Sequence, residues 1–163
     1  MAIFTRGFFL CFVALFAGMA VFAQKPLKLF TELGLKGNVK LVAERTYEAL
    51  ENFGRPEKGG RVANNADYEF LPNGDIAEQN IYNQNGSLRT RHVYKYNDAG
   101  RLAEQNLYNP GGPLRNRFRY KYNNSGQLVE QRYVKPDGTM ASKYIYEYDK
   151  KGNQSVYSIY NSK

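Results

Sequence analysis

Glycine spacing constrains this chain more than any other feature. Gly74, Gly100, Gly126 and Gly152 stand 26 residues apart, and Gly86, Gly112 and Gly138 form a second series with the same period. A fixed period of this size marks a repeat architecture, in which each unit is one supersecondary element stacked on its neighbours. Two glycines per unit imply two chain reversals per unit. The units read EFLPNGDIAEQNIYNQNGSLRTRHVY from Glu69, KYNDAGRLAEQNLYNPGGPLRNRFRY from Lys95, KYNNSGQLVEQRYVKPDGTMASKYIY from Lys121 and a truncated EYDKKGNQSVYSIYNSK from Glu147.

Most of these glycines close a four-residue group that begins with Asn or Asp, as in Asn83 to Gly86, Asn97 to Gly100, Asn109 to Gly112, Asn123 to Gly126 and Asp149 to Gly152. Asn or Asp at the first position and Gly at the fourth are preferences of a type I turn, and Pro72, Pro110 and Pro136 occupy the second position, where proline fits. Such a turn followed by a left-handed glycine makes a bulged three-residue hairpin loop. The runs between turns alternate and are rich in Tyr, Val, Ile and Leu, which is strand composition. Each unit is therefore two hairpins in series.

Ahead of the repeats, Val39 to Glu48 alternates as a strand, and Ala49 to Arg61, broken by Gly54, Pro56, Gly59 and Gly60, reads as a connecting loop. Val62 to Phe70 is the next strand. Lys25 to Gly37 fits either one short helical turn or a packed extended segment, with Leu27, Phe30 and Leu33 as its apolar positions. The fold expected is all-β: a single antiparallel meander of about nine strands, curled or approaching an open barrel.

Residues 1–23 have the pattern of a secretory signal: one cation at Arg6, an uncharged apolar stretch from Gly7 to Phe22, and small residues before a cut after Ala23. The stretch is too short for a membrane span and lacks a basic stop-transfer flank. Cys11, the only cysteine, lies inside it after Phe8, Phe9 and Leu10, so lipidation is not expected. The mature chain then holds neither disulfide nor thiol nucleophile. The organisation expected is a signal at 1–23, an N-terminal segment with one strand and a loop at 24–61, and the repeat meander at 62–163. Without Arg6, 22 Lys and Arg face 15 Asp and Glu. That surplus favours anionic partners, and export argues against nucleic acid among them.

The groups Tyr94-Lys-Tyr96-Asn97-x-x-Gly100-Arg-Leu102, Tyr120-Lys-Tyr122-Asn123-x-x-Gly126-Gln-Leu128 and Tyr146-Glu-Tyr148-Asp149-x-x-Gly152 resemble the YD repeats of Rhs polymorphic toxins and teneurins. The resemblance implies a β-meander architecture. Those proteins wrap dozens of repeats into a hollow shell around a toxin, and four copies do not enclose a cargo, so encapsulation does not carry over. The turn-glycine pattern is also similar to MORN-type repeats, including those of small bacterial antitoxins, whose cytosolic setting disagrees with the leader.

If Asn97 pairs with Arg101, alternation places Tyr96 opposite Leu102, Tyr94 opposite Glu104 and His92 opposite Asn106. One face then carries Ile76, Tyr82, Leu88, Tyr94, Tyr96, Leu102, Tyr108, Leu114, Phe118, Tyr120, Tyr122, Leu128, Met140, Tyr144, Tyr146, Tyr148 and Tyr160. The other carries Arg89, Arg91, Lys95, Arg115, Arg117, Arg119, Lys121 and Lys143. So large an aromatic face is expected to curl, close, or be covered by Lys25 to Gly37.

Glu78, Glu104 and Glu130 recur at one repeat position, which this register puts on the aromatic face. Adjacent members would lie on the order of 10 Å apart, slightly beyond the carboxylate gap of an inverting glycosidase. Three like copies favour a structural pair with Tyr68, Tyr94 and Tyr120, since an acid and base need unlike environments. His92, the only histidine, has Phe118 and Tyr144 as its equivalents and reads as a core or rim aromatic; one histidine falls short of a zinc site. No catalytic residue, cofactor or metal ligand is assigned. The function expected is a non-catalytic exported module binding an anionic glycan, lipopolysaccharide or an envelope protein through Arg89, Arg91, Arg115, Arg117, Arg119 and Lys121. The alternatives are a purely structural secreted module and a glycosidase-like enzyme using the glutamate row.

Overall fold

The computed structural model describes residues 29–62 and 65–162; the expected leader, with Arg6 and Cys11, lies outside them. One helical turn, α1 (Leu29–Glu32), precedes β1 (Leu41–Glu44), β2 (Tyr47–Asn52), β3 (Arg55–Arg61), β4 (Asn65–Phe70), β5 (Ile76–Tyr82), β6 (Leu88–Tyr96), β7 (Leu102–Tyr108), β8 (Leu114–Tyr122), β9 (Leu128–Val134), β10 (Met140–Tyr148) and β11 (Gln154–Asn161). Nine strands form one sheet in the order β1-β4-β5-β6-β7-β8-β9-β10-β11, while β2 and β3 stand apart as a hairpin. All pairings are antiparallel, and from β4 onward each strand lies beside its sequence neighbour. The chain is the expected all-β meander, and its sheet remains open, with β1 and β11 as edges.

The turns form as the Asn-to-Gly spacing predicts. Gly100 N–H donates to the Asn97 carbonyl (2.8 Å), Asn97 N–H donates to the Arg101 carbonyl (2.9 Å), and the same pair of bonds recurs at all seven repeat turns. The Asn97 side chain adds a bond from Arg101 N–H (2.9 Å). The fourth position is left-handed, with φ of +72° at Gly100 and +83° at Gly126. A β-branched residue is strained there, so Gly126→Val should lower stability by about 1–3 kcal/mol. Urea denaturation of the two proteins checks it, and equal midpoints would refute it.

Beyond each turn the ladder slips by one residue. Lys95 pairs with Glu104 while Tyr96 pairs with Leu102, leaving Ala103 as the extra residue of a β-bulge. Ala77, Val129 and Ser155 occupy the same place in the other copies. After the second turn of each unit the extra residue is Arg89, Arg115 or Ala141. A bulge reverses which face the following side chains use. The expected pairings of Tyr94 with Glu104 and His92 with Asn106 are therefore wrong: Tyr94 lies opposite Gln105 and His92 opposite Leu107. The pairings of Tyr96 with Leu102, Tyr108 with Leu114 and Tyr122 with Leu128 hold.

Three pairings stop short of the first turns. The ladders of β5 with β6, β7 with β8 and β9 with β10 end at Glu78–Val93, Glu104–Arg119 and Glu130–Ile145. Past those points a tyrosine hydroxyl stands in for the missing backbone donors. Tyr96 donates to the Ile76 carbonyl (2.8 Å), Tyr122 to Leu102 (3.0 Å) and Tyr148 to Leu128 (2.8 Å). This satisfies carbonyls that would otherwise be orphaned where the strands splay.

The segment 49–61 is the second departure from expectation. Together with Tyr47 and Glu48, the end of the expected strand, it forms the hairpin β2–β3, not a loop, and it turns through Phe53 and Gly54 at φ +51° and +74°. Two left-handed residues match the hand of a two-residue hairpin turn. Gly59 lacks a side chain for a spatial reason, since a Cβ there would meet Leu50 Cγ at 2.9 Å and the Glu48 carbonyl at 3.0 Å. Buried Asn65 anchors the hairpin base, accepting from Thr46 N–H (2.8 Å) and donating to the Val62 carbonyl.

The core has two parts. Near α1, Leu29, Phe30 and Leu35 pack on Phe70, Ile76 and Tyr94, with Phe30 edge-on to Phe70 at 5.5 Å. Helix α1 and Leu35 thus cover the first end of the aromatic face. Farther along, Tyr120, Leu128 and Tyr146 are buried among Leu102, Phe118, Tyr122, Tyr144 and Tyr148, all from the sheet itself. Leu128 and Tyr146 are each only 2% exposed. A single layer reaches that burial by coiling, so that its large side chains cover one another.

Candidate functional site

The bulges set the site. Because the register slips between Leu102 and Glu104, Glu104 leaves the tyrosine face and joins Lys95, Arg117 and Arg119 on the opposite one. Glu78 and Glu130 follow in their own units. The glutamate row and the arginine row thus form one ionic ladder, which corrects the expectation that they lie on different faces. The expected hydrogen bonds from Tyr94 to Glu104 and from Tyr120 to Glu130 are not made; these hydroxyls donate instead across the other neighbouring strand, to Gln79 (3.1 Å) and Gln105 (3.5 Å). Tyr68 donates to Glu44 (3.2 Å).

Each carboxylate sits beneath its cations. Glu78 binds Arg91 at 2.6 Å; Glu104 binds Arg119 at 3.0 Å and Lys95 at 3.2 Å, with Arg117 at 3.8 Å; Glu130 binds Arg132 at 2.8 Å and Lys121 at 3.4 Å. Asp67 with Arg45, at 2.6 Å, continues the row to the start of the sheet. Arg132 Nη2 donates to Glu130 (3.1 Å), and its Nε lies 2.8 Å from the same carboxylate as an ion pair. Within the second unit, buried Asn106 donates to Glu104 (2.8 Å) and accepts from Arg117 Nε (2.9 Å).

The electrostatics follow from these contacts. Arg91 beside Glu78 holds that carboxyl below its ordinary value despite burial. At Glu104 burial pushes upward, but hydrogen bonds from Asn106, Arg119 and Lys95 prevail and bring the carboxyl down to about 2. Glu130 is likewise lowered against its burial, by Arg132 and Lys121. All three carboxyls are held anionic in similar surroundings. The unlike environments that an acid–base pair requires are missing from this row.

Tyr82, Tyr108 and Tyr160 also change face. Tyr82 donates to Asp67 (2.8 Å) under the Arg45 guanidinium (5.3 Å), Tyr108 lies under Arg91 (5.4 Å), and Lys143 sits 5.2 Å from the Tyr160 ring. Leu88, Leu114 and Met140 pair with Tyr82, Tyr108 and Val134 at the bulges, so they too leave the tyrosine face where they were expected. Of the six cations expected to form a binding patch, Arg91, Arg117, Arg119 and Lys121 share the ladder. Arg89 and Arg115 are the exposed extra residues of two bulges. Sequence reasoning missed Arg132, Arg45, Asp67 and Asn106. The signal was present: Asn80, Asn106 and Arg132 each fall two residues after a glutamate, and each bonds it.

His92 is largely buried beside Tyr94, and its Nδ1 lies 3.2 Å from the Gln105 amide nitrogen. Burial, with a smaller contribution from the Arg89 charge, pushes its pKa down and favours the neutral ring. Its equivalent Phe118 stacks on Tyr133 at 5.3 Å. Among the described residues no group of three or more His, Cys, Asp or Glu is placed to hold a metal ion, and no helix is long and apolar enough to cross a membrane.

No curated protein matches the chain. Among solved structures, the "Crystal structure of GtfA/B complex bound to UDP and GlcNAc" is similar over 71% of this chain and 24% of that one, at 16% identity and a TM-score of 0.28. The chain thus spans about a quarter of that neighbour, and so low a score carries no argument about fold or function. A family model described as "Uncharacterised protein" matches residues 77–162. That match runs from β5 through β11 and takes in Glu78, Glu104 and Glu130, every ladder cation except Arg45, and the bridging tyrosines, and since it spans more than half of the sequence, the chain belongs to this family.

Proposed function

We propose that this is a non-catalytic exported binding module that engages anionic glycan, lipopolysaccharide or an acidic envelope protein through its ionic ladder. The observation that carries the reading is vertical order. The side chains of Glu78, Glu104 and Glu130 are 13–18% exposed, while those of Lys95, Arg119 and Lys121 are 53–65% exposed. A partner arriving from solvent meets ammonium and guanidinium groups, and the carboxylates beneath space them along the sheet. The ladder's ion pairs join Arg45, Arg91, Lys95, Arg117, Arg119, Lys121 and Arg132 to only four carboxylates. A positive surplus therefore remains for a polyanion. Likeness to YD repeats fits a secreted setting, and nucleic acid is not the partner proposed.

The experiment is retention on immobilised heparin and lipopolysaccharide. Replacing Arg115, Arg117 and Arg119 together by Gln should abolish most retention, and raising salt from 0.1 to 1 M should weaken it as the screening length falls from about 10 Å to about 3 Å. Glu104→Gln should leave retention intact or slightly stronger, because it removes a negative charge. Retention that survives both the triple substitution and high salt would overturn the reading and favour the tyrosine face.

A further inference from the structure

The two edges of the sheet are built differently. β1 is four residues long and is followed at once by Arg45. β11 is twice as long and reads QSVYSIYN, with no Lys, Arg, Asp, Glu or Pro. Val156, Tyr157, Ile159 and Tyr160 on it are 40–53% exposed. Natural edge strands are normally shortened, charged or interrupted by proline, because their unpaired backbone groups recruit other strands. β11 has none of these protections.

Its backbone groups are aimed outward in a regular way. Ser162 N–H donates to the Ala141 carbonyl (2.9 Å), so even-numbered residues of β11 turn their backbone toward β10. Tyr157, Ile159 and Asn161 then turn theirs to solvent. In repeat register β11 matches β5, β7 and β9, each of which carries a strand on both sides.

We propose that β11 is the interface between two copies of this chain, joined edge to edge and antiparallel about a two-fold axis at Ser158. The absence of charge on β11 admits this occupant. Two molecules of formal charge +8 repel, and an uncharged strand lets them meet without placing like charges opposite each other. The pairing is also self-complementary: with Ser158 on the axis, Tyr157 lies opposite Ile159 and Val156 opposite Tyr160 of the second copy. The tyrosine faces of both copies then run on without a break, extending the stack of Tyr157 on Tyr144 (6.1 Å) and Tyr146 (5.4 Å). The closed two-fold uses the β11 edge of both copies and leaves only the short β1 edges at the ends of the joined sheet.

The test uses the full chain produced in an exporting bacterial host, with mass measured by light scattering across a concentration series. The parent should be a dimer, and Ser158→Lys, which places two ammonium groups at the axis, should be a monomer with an unchanged far-ultraviolet spectrum. Ser158→Cys should form a 158-to-158 disulfide on mild oxidation, read by mass spectrometry, whereas Ser87→Cys in a distant turn should not. A parent monomeric at every concentration whose Ser158→Cys variant fails to cross-link would overturn the proposal. So would a dimer that persists in Ser158→Lys, or open-ended polymers, which would indicate pairing of β11 with β1.

Discussion

Leu128→Ala should cost about 2–5 kcal/mol, the range for emptying a well-packed leucine site. Leu128 is 2% exposed and sits at the centre of the Tyr120, Tyr122 and Tyr146 cluster. Because the sheet supplies both the floor and the walls of that cluster, no second layer can settle into the space left by the missing methyls. Urea denaturation followed by tyrosine fluorescence measures the loss. A change below about 1 kcal/mol would mean that the site collapses freely and the cluster is not a core.

Glu104→Gln should cost on the order of 2–3 kcal/mol at neutral pH, as expected for charged hydrogen bonds with limited access to water. The glutamate side chain is 15% exposed and meets Lys95, Arg117 and Arg119. Its effect should also depend on pH. The folded carboxyl lies at about 2 against an ordinary 4.5, so the unfolded chain takes up the proton first. The stabilisation is complete above the unfolded value and fades as pH falls through the folded one. Parent and variant should therefore converge in stability between about pH 4.5 and 2. Asp67, Glu78 and Glu130 are depressed too, so the difference between the two proteins, and not the parent's own acid transition, isolates Glu104. A gap that stays constant with pH would show that Glu104 acts through shape and not charge.

The turns were legible in the sequence because one residue type does a job that others do badly. Glycine at the fourth turn position has a steric reason, and its 26-residue recurrence marks every hairpin of the repeats. The face assignment failed for an equally physical reason. The extra residue of each first bulge is Ala77, Ala103, Val129 or Ser155, small or β-branched side chains that suit either face of a strand, so alternation continues across the slip without a visible break. That single unseen residue moved Glu104 from beside Tyr94 to beside Lys95. The hairpin β2–β3 was hidden differently, by glycines that read as loop but serve close approach at Gly59. The Tyr-x-Tyr groups were visible as a motif, yet only the splayed ladders reveal that the second tyrosine of each is a hydrogen-bond donor.

Those second tyrosines also determine how the units depend on one another. Tyr96, Tyr122 and Tyr148 each reach back 20 residues, to a carbonyl of the preceding unit, so each unit is completed at one end by the next. Such a chain behaves as a one-dimensional array with nearest-neighbour coupling, in which folding started at any unit spreads to the adjoining ones. Deleting an internal 26-residue unit would preserve this relation, because the following tyrosine would find an equivalent carbonyl. Inserting one residue between a tyrosine and its carbonyl would break it at that step and leave the later ones intact.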